Sequence, residues 1–91
     1  MARDIDIDID ELERFIHVLQ DFQDATSEKF KAVQQDWNRC DESWEGDSKE
    51  RFTKDFEETC DRVQRTLESG DDALEWLRRY LEILKDFESS Y

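Results

Sequence analysis

The sequence predicts an all-α protein, a helix-turn-helix hairpin of two long antiparallel helices, and three observations lead to this prediction. The 91 residues contain no proline and two glycines, so little in the chain interrupts a helix. Apolar residues recur in steps of three and four along two long stretches, which is the spacing of one helix face. Between these stretches, near the middle of the chain, Trp44-Glu45-Gly46 offers a place to fold back. A chain of this length is expected to form one domain, residues 1–91.

The composition alone would also suit a disordered chain, since 43% of the residues are charged and the mean hydropathy is −1.01. However, 12% of the residues are aromatic, including three tryptophans and six phenylalanines. Their regular spacing provides the apolar faces that long helices need in order to pack. We therefore expect a folded helical protein.

The first helix is predicted over residues 8–40. Asp8 can accept hydrogen bonds as the N-cap, and Glu11 stands at the N3 position of a capping box. Residues 1–7 alternate with a period of two around Ile5 and Ile7, so they are expected to form an extended arm. The apolar stripe of the helix comprises Leu12, Phe15, Ile16, Leu19, Phe22, Thr26, Phe30, Val33, Trp37 and Cys40.

The turn is predicted over residues 41–46, because Asp41-Glu42-Ser43 is turn-like and Gly46 tolerates a positive φ. The second helix is predicted over 47–88, with Glu50 at N3 of a capping box that begins at Asp47, and residues 89–91 as a tail. Its stripe stays in phase across Gly70, which favours one continuous helix. The stripe comprises Phe52, Phe56, Cys60, Val63, Leu67, Gly70, Leu74, Leu77, Leu81 and Leu84.

Folding the two stripes onto each other gives a predicted register. It places Phe30 opposite Phe56, and Phe15 and Ile16 opposite Gly70, where a large side chain meets a glycine. Cys40 and Cys60 lie on the stripes, so we interpret both as small core residues.

The end of the second helix carries more apolar surface than one hairpin can bury. A second stripe, Ala73, Trp76, Tyr80, Ile83 and Phe87, runs beside the leucines. An exposed apolar patch usually marks a partner surface, and a second hairpin would complete a four-helix bundle. The predicted dimer interface consists of Trp76, Leu77, Tyr80, Leu81, Ile83, Leu84 and Phe87.

Charge and residue content argue against several classes of function. The net charge of −13 disfavours binding to nucleic acid or to anionic lipid, and acidic residues outnumber basic ones in both halves of the chain. No apolar run is long enough for membrane insertion, and the N-terminus lacks the apolar segment of a cleavable signal peptide. Two distant cysteines and one histidine suggest no metal site, no cofactor and no catalytic residues. We therefore expect a protein that is not an enzyme.

The sequence resembles the WXG family, the ESAT-like proteins of roughly a hundred residues that belong to type VII (ESX) secretion. Trp44 and Gly46 fill the signature at the tip of the hairpin. The segment Ile5 to Leu12 is similar to the start of many members, with Ile9 where those members have proline. The match extends over essentially the whole chain, because length, hairpin topology and acidic charge agree with it as well.

The resemblance implies a fold and a role. Members pair antiparallel into four-helix-bundle homodimers or heterodimers with another WXG-type protein. They are exported by a membrane-bound ATPase, or they carry an effector out as its dimer partner. The expectation is thus secretion without a cleavable signal peptide.

The sequence departs from the family at the C-terminal export motif, Tyr-x-x-x-Asp/Glu. Leu84 stands four residues after Tyr80, and Tyr80 with Glu82 is the nearest candidate for a divergent signal. A partner could supply the signal instead. The alternative is a non-secreted, cytoplasmic helical module of the same fold that acts in protein–protein interaction.

Overall fold

The computed structural model describes residues 7–89, and these form two long helices that fold back on each other. Helix α1 spans Ile9–Ser43 and helix α2 spans Asp47–Ser89. The all-helical hairpin is therefore confirmed for the described part of the chain, which contains no strand. The predicted arm spans residues 1–7, of which 1–6 lie outside the described residues, as do residues 90 and 91 of the predicted tail; residue 89 of that tail is the last residue of α2.

The hairpin is long and thin, with principal extents of 68 × 22 × 15 Å. We call the end that carries Trp44, Glu45 and Gly46 the turn end. The opposite end, where α1 begins and α2 finishes, is the open end.

Helix α1 begins where the capping signal predicts. Asp8 is the N-cap, and its Oδ1 accepts hydrogen bonds from the backbone N–H groups of Asp10 at 2.9 Å and Glu11 at 3.3 Å. The carboxylates of Asp10 and Glu11 also lie in the first turn, where the helix dipole favours negative charge.

Helix α1 continues three residues beyond its predicted end at residue 40, so the prediction of a turn over 41–43 is wrong. Asp41 remains helical and its carboxylate pairs with Lys49 Nζ across the turn at 2.8 Å. Ser43 Oγ donates to the carbonyl oxygen of Cys40, which is a helix C-terminal contact. The connection is therefore three residues long rather than the six predicted. The point at which the chain reverses direction lies closer to the start of α2.

Gly46 provides the backbone geometry that the connection requires. Its φ is +115°, a conformation that is costly for residues with a Cβ. The Gly46 carbonyl oxygen accepts the first backbone hydrogen bond of α2 from Glu50 N at 3.3 Å. Gly46 thus takes the N-cap position that the sequence pattern assigned to Asp47, and Asp47 is the first helical residue.

The buried apolar core lies near the open end and is small. It consists of Leu12, Ile16 and Leu74, with Leu74 only 1% exposed. Five partly buried side chains pack against it: Leu19, Leu77, Tyr80, Leu81 and Leu84. A hairpin with so few buried side chains gains limited hydrophobic stabilisation, because small folds leave much of their surface in water.

The predicted register is wrong by about two helical turns. Gln23, rather than Phe15 or Ile16, lies against Gly70. At the turn end, Trp37 takes the place predicted for Phe30, with its ring centroid 5.2 Å from that of Phe56. The longer α1 moves the fold-back point toward the C-terminus, and each α2 residue therefore meets a later residue of α1.

A buried glutamine joins the helices at this register. Gln23 Nε2 donates to the carbonyl oxygen of Leu67 at 2.8 Å and to Asp71 Oδ1 at 3.2 Å. The absence of a side chain at Gly70 makes room for its amide, and α2 runs through Gly70 without interruption. A buried polar group that is hydrogen-bonded in this way disfavours slippage of the two helices, because slippage would leave it unpaired.

Candidate protein-pairing surface

The turn end holds an aromatic cluster built around Trp37 of α1 and Trp44 of the connection. Trp37 lies 6.2 Å from Trp44, edge to face, and 5.1 Å from Phe52 between ring centroids. Trp44 in turn lies 5.7 Å from Phe52, which stacks with Phe56 at 5.5 Å. Trp44 is half-buried, so it packs within the hairpin and also offers surface to a partner.

The predicted interface residues divide into two groups in the structure. Leu77, Tyr80, Leu81 and Leu84 are half-buried and pack against the core of the same chain. Trp76, Ile83 and Phe87 are exposed. Tyr80 connects the groups, because its ring also stacks on Trp76 with centroids 5.3 Å apart.

Helix α1 exposes apolar residues that the sequence pattern assigned to the seam between the helices. Phe15 and Phe22 are on the predicted facing stripe, but both are exposed, as is Val18. Cys40 was also interpreted as a core residue, and it is exposed. The stripe of α1 is wider than the contact with α2, and the observed register buries the edge that carries Leu12, Ile16 and Gln23.

Polar contacts between the helices identify one side of the hairpin, which we call the polar side. Lys85 Nζ lies 2.5 Å from Glu13 Oε1, and the Arg78 guanidinium donates to Gln20 Oε1. On an ideal helix Glu13 and Gln20 are rotated by about 40–60° from Ile16, in one common direction. Glu13 and Gln20 contact Lys85 and Arg78 of α2. On both helices, rotation in this direction therefore leads to the same side of the hairpin.

The exposed apolar residues of both helices are rotated in the opposite sense. Phe15 and Phe22 lie about 100–120° from Ile16 in that direction, and Trp76 lies about 160° from Leu74. They therefore share the side opposite the polar contacts, which we call the apolar side. Its members are Phe15, Phe22, Trp76, Tyr80 and Phe87; Ile83 lies at its outer edge, about 180° from Leu74, and Val18 lies on the back of α1 beside the cleft that holds His17.

The two halves of the apolar side lie at the same height along the hairpin. Gln23 meets Asp71 at one height and Glu13 meets Lys85 at another. The apolar residues of α1 and all but Phe87 on α2 fall between these two contacts. The apolar side is thus concentrated in the open-end half, and Val33, which is 50% exposed and rotated about 100° from Ile16 in the same direction, extends it toward the turn end.

The candidates for a divergent export signal do not share a surface. Tyr80 belongs to the apolar side and packs on the core, whereas Glu82 is exposed and rotated about 200° away on α2. Residues four apart would share a face. Tyr80 and Glu82 consequently offer a partner two separate contacts.

Other features of the surface carry little chemistry. The clefts between the helices are open to solvent, and the one that holds His17 is lined by Asp10, Glu13, Arg14, Ile16, Val18, Asp21, Leu81 and Lys85. Within residues 7–89, no group of histidine, cysteine or carboxylate side chains is arranged to hold a metal ion. No helix in the same range is long and apolar enough to cross a membrane.

Comparison with known proteins gave no relative: no family model, no curated protein and no solved structure matches this chain.

Proposed function

We propose that this protein is a pairing module of the WXG type that forms a four-helix-bundle dimer and serves as a substrate or carrier in type VII secretion. One observation carries the proposal. Trp44, Glu45 and Gly46 form the entire connection between two helices of 35 and 43 residues, and Gly46 has the positive φ that such a turn requires. This is the arrangement that the resemblance to the family implies.

Pairing is supported by the apolar side. Phe15, Phe22 and Trp76 on this side are more than half exposed in the single chain, and aromatic residues are the side chains that most often anchor protein interfaces. Two hairpins that meet on these sides would form a bundle of four helices with a core larger than that of either hairpin.

The proposed role in export is tested in the source organism, with strains that differ in the type VII ATPase. Culture medium and cell pellet are probed for the full-length chain, with a cytosolic protein as the lysis control. ATPase-dependent release into the medium is the expected result. The chain found in the pellet of both strains, with the lysis control intact, would contradict export.

The contribution of Trp44 to recognition can be separated from its packing by Trp44→Phe. Phenylalanine retains an aromatic contact with Phe52 but lacks the indole, so the thermal midpoint should change little. Reduced export of this variant would indicate that a partner recognises the indole. Unchanged export would assign Trp44 to packing of the turn end alone.

A second candidate function is an intracellular pairing module of the same fold that is not exported. The position of Tyr80 and Glu82 favours it, because they lie on different faces of α2 and Leu84 occupies the place of the acidic residue. Stable association with a cytosolic protein would support this candidate, and ATPase-dependent release would eliminate it.

A further inference from the structure

We infer that a cleft between the two helices, in the middle of the hairpin, binds the arginine side chain of a partner protein. The cleft has a volume of about 250 Å³. Its floor and its rim include six residues that decide what it can hold: Gln23, Asp24 and Phe30 of α1, and Leu67, Glu68 and Asp71 of α2. Occupation of the cleft requires neither pairing through the apolar side nor export.

The cleft opens on the polar side of the hairpin. Asp24 is rotated about 80° from Ile16 in the direction that leads to the polar side. Asp71 is rotated about 60° from Leu74 in the same direction. A partner can therefore enter the cleft without touching the apolar side.

The three carboxylates at the rim keep their negative charge uncompensated. Each accepts a hydrogen bond from a glutamine: Asp24 from Gln20 at 2.9 Å, Glu68 from Gln64 at 3.2 Å and Asp71 from Gln23 at 3.2 Å. Among residues 7–89 none of the three carboxylates takes part in an ion pair. Neutral amide donors orient the carboxylates without cancelling their charge, so the rim attracts a cation.

The floor of the cleft presents a hydrogen-bond acceptor that nothing in the described chain uses. Gln23 is only 6% exposed, and both of its hydrogen bonds are donated by Nε2, to Leu67 O and to Asp71 Oδ1. No fully buried side-chain polar atom of residues 7–89 lacks a partner, so the unpaired Oε1 of Gln23 reaches solvent, and Gln23 lines this cleft. A largely buried polar atom is usually hydrogen-bonded, which favours a ligand that donates here.

The shape of the site favours a guanidinium group over other cations. Within the described range no group of carboxylates is arranged to hold a metal ion, so the cation must itself extend across the cleft. A guanidinium carries five N–H donors in a planar fork, whereas an ammonium group is a point charge. Phe30 and Leu67 offer apolar surface to the guanidinium plane and to the methylene stem.

The size of the cleft favours one side chain over a complete small molecule. Sites for drug-sized ligands usually measure about 300–1,000 Å³, which is more than this cleft provides. We therefore assign the guanidinium to an arginine that projects from the surface of another protein.

Lys31 determines where in the cleft the guanidinium lies. It is the cation of the lining, and it stands seven residues, or about 10 Å, from Asp24 toward the turn end. Glu68 and Asp71 lie on either side of the level at which Gln23 contacts α2. The guanidinium thus binds at the Gln23 end of the cleft, away from Lys31.

The experiment uses the full chain labelled with ¹⁵N and follows backbone amide shifts by nuclear magnetic resonance. The probe is N-acetyl-arginine amide. We expect shifts centred on residues 23–31 and 64–71, with a Kd of roughly 1–10 mM, as suits one group held by partly exposed charges. Absence of binding, or shifts centred elsewhere on the hairpin, would overturn the assignment of the cleft.

Two further probes separate the guanidinium and its source from net charge. N-acetyl-lysine amide has the same charge and should bind at least about threefold more weakly, because it lacks the planar fork. Equal binding of the two amides would reduce the effect to the acidity of the chain. Free arginine should also bind more weakly, since its own carboxylate would meet the acidic rim. Tighter binding of free arginine would assign the cleft to the amino acid rather than to a partner protein.

A matched pair of variants tests the position of the site. Asp24→Asn removes one carboxylate from the rim and should raise the Kd of the arginine amide about threefold to fivefold. Asp21→Asn makes the same change at an exposed position of α1 that does not line the cleft, so the Kd should stay near that of the wild type. An equal rise for both variants would show that the probe responds to the overall charge and would overturn the inference.

Discussion

The close approach of Gln23 to Gly70 leads to a prediction whose sign is unusual. In most exposed helix interiors, replacing glycine by alanine stabilises a protein by about 1 kcal/mol. At position 70, a Cβ would lie 2.5 Å from Cδ of Gln23 and closer still to both atoms of its amide. Gly70→Ala must therefore displace the glutamine amide.

The magnitude follows from the contacts that Gln23 would lose. Its amide donates to Leu67 O and Asp71 Oδ1, and each such hydrogen bond contributes about 1 kcal/mol net. Losing both costs about 2 kcal/mol, and the higher helix propensity of alanine returns about 1 kcal/mol. We expect Gly70→Ala to lower the free energy of unfolding by about 1 kcal/mol.

The assay is urea unfolding followed by circular dichroism at one protein concentration, since pairing would shift stability with concentration. Gln23→Ala provides the matched background, because it removes the amide that a Cβ would strike. In that background Gly70→Ala should stabilise by about 1 kcal/mol, so the substitution changes sign and the coupling is about 2 kcal/mol. Stabilisation by the same amount in both backgrounds would refute the close approach of Gln23 and Gly70.

Three further predictions concern the turn end and the polar side. Trp37→Ala should lower the free energy of unfolding by about 2–3 kcal/mol, as followed by thermal unfolding, because it removes the ring that contacts Trp44 and Phe52. Trp37→Phe should cost less in the same assay. Gly46→Ala should cost about 1–2 kcal/mol through backbone strain alone, since open space surrounds the position; a change below a few tenths in urea unfolding would contradict the positive φ. Lys85→Gln breaks an exposed ion pair and should change stability by less than about 1 kcal/mol, with the difference from wild type vanishing in high salt.

The sequence predicted the elements of the fold because their signals are local. The spacing of apolar residues identified two helices, Asp8 marked the start of the first, and Gly46 marked the turn before the second. Each of these signals depends on the residues within a few positions along the chain. The excess of apolar residues near the end of α2 also predicted exposed side chains there, and Trp76 and Ile83 are exposed in the structure.

The candidate surface was predicted in part. Its α2 portion followed from the second stripe, although Leu77 and Leu84 in that list pack within the hairpin. Its α1 portion was missed, because Phe15 and Phe22 continue the same stripe as Leu19. A stripe wider than the contact can bury either of its edges, and the spacing of residues does not select the edge.

The sequence by itself thus determined that the chain forms two amphipathic helices with more apolar surface than one hairpin buries. The register of those helices was decided by the tertiary structure alone. It depends on a turn of three residues rather than six, and on the fit of the Gln23 amide beside Gly70. Both determine how residues that are distant along the chain meet. The edge of α1 that is buried is the one that brings Gln23 to Leu67 and Asp71. Phe15 and Phe22 therefore lie on the surface.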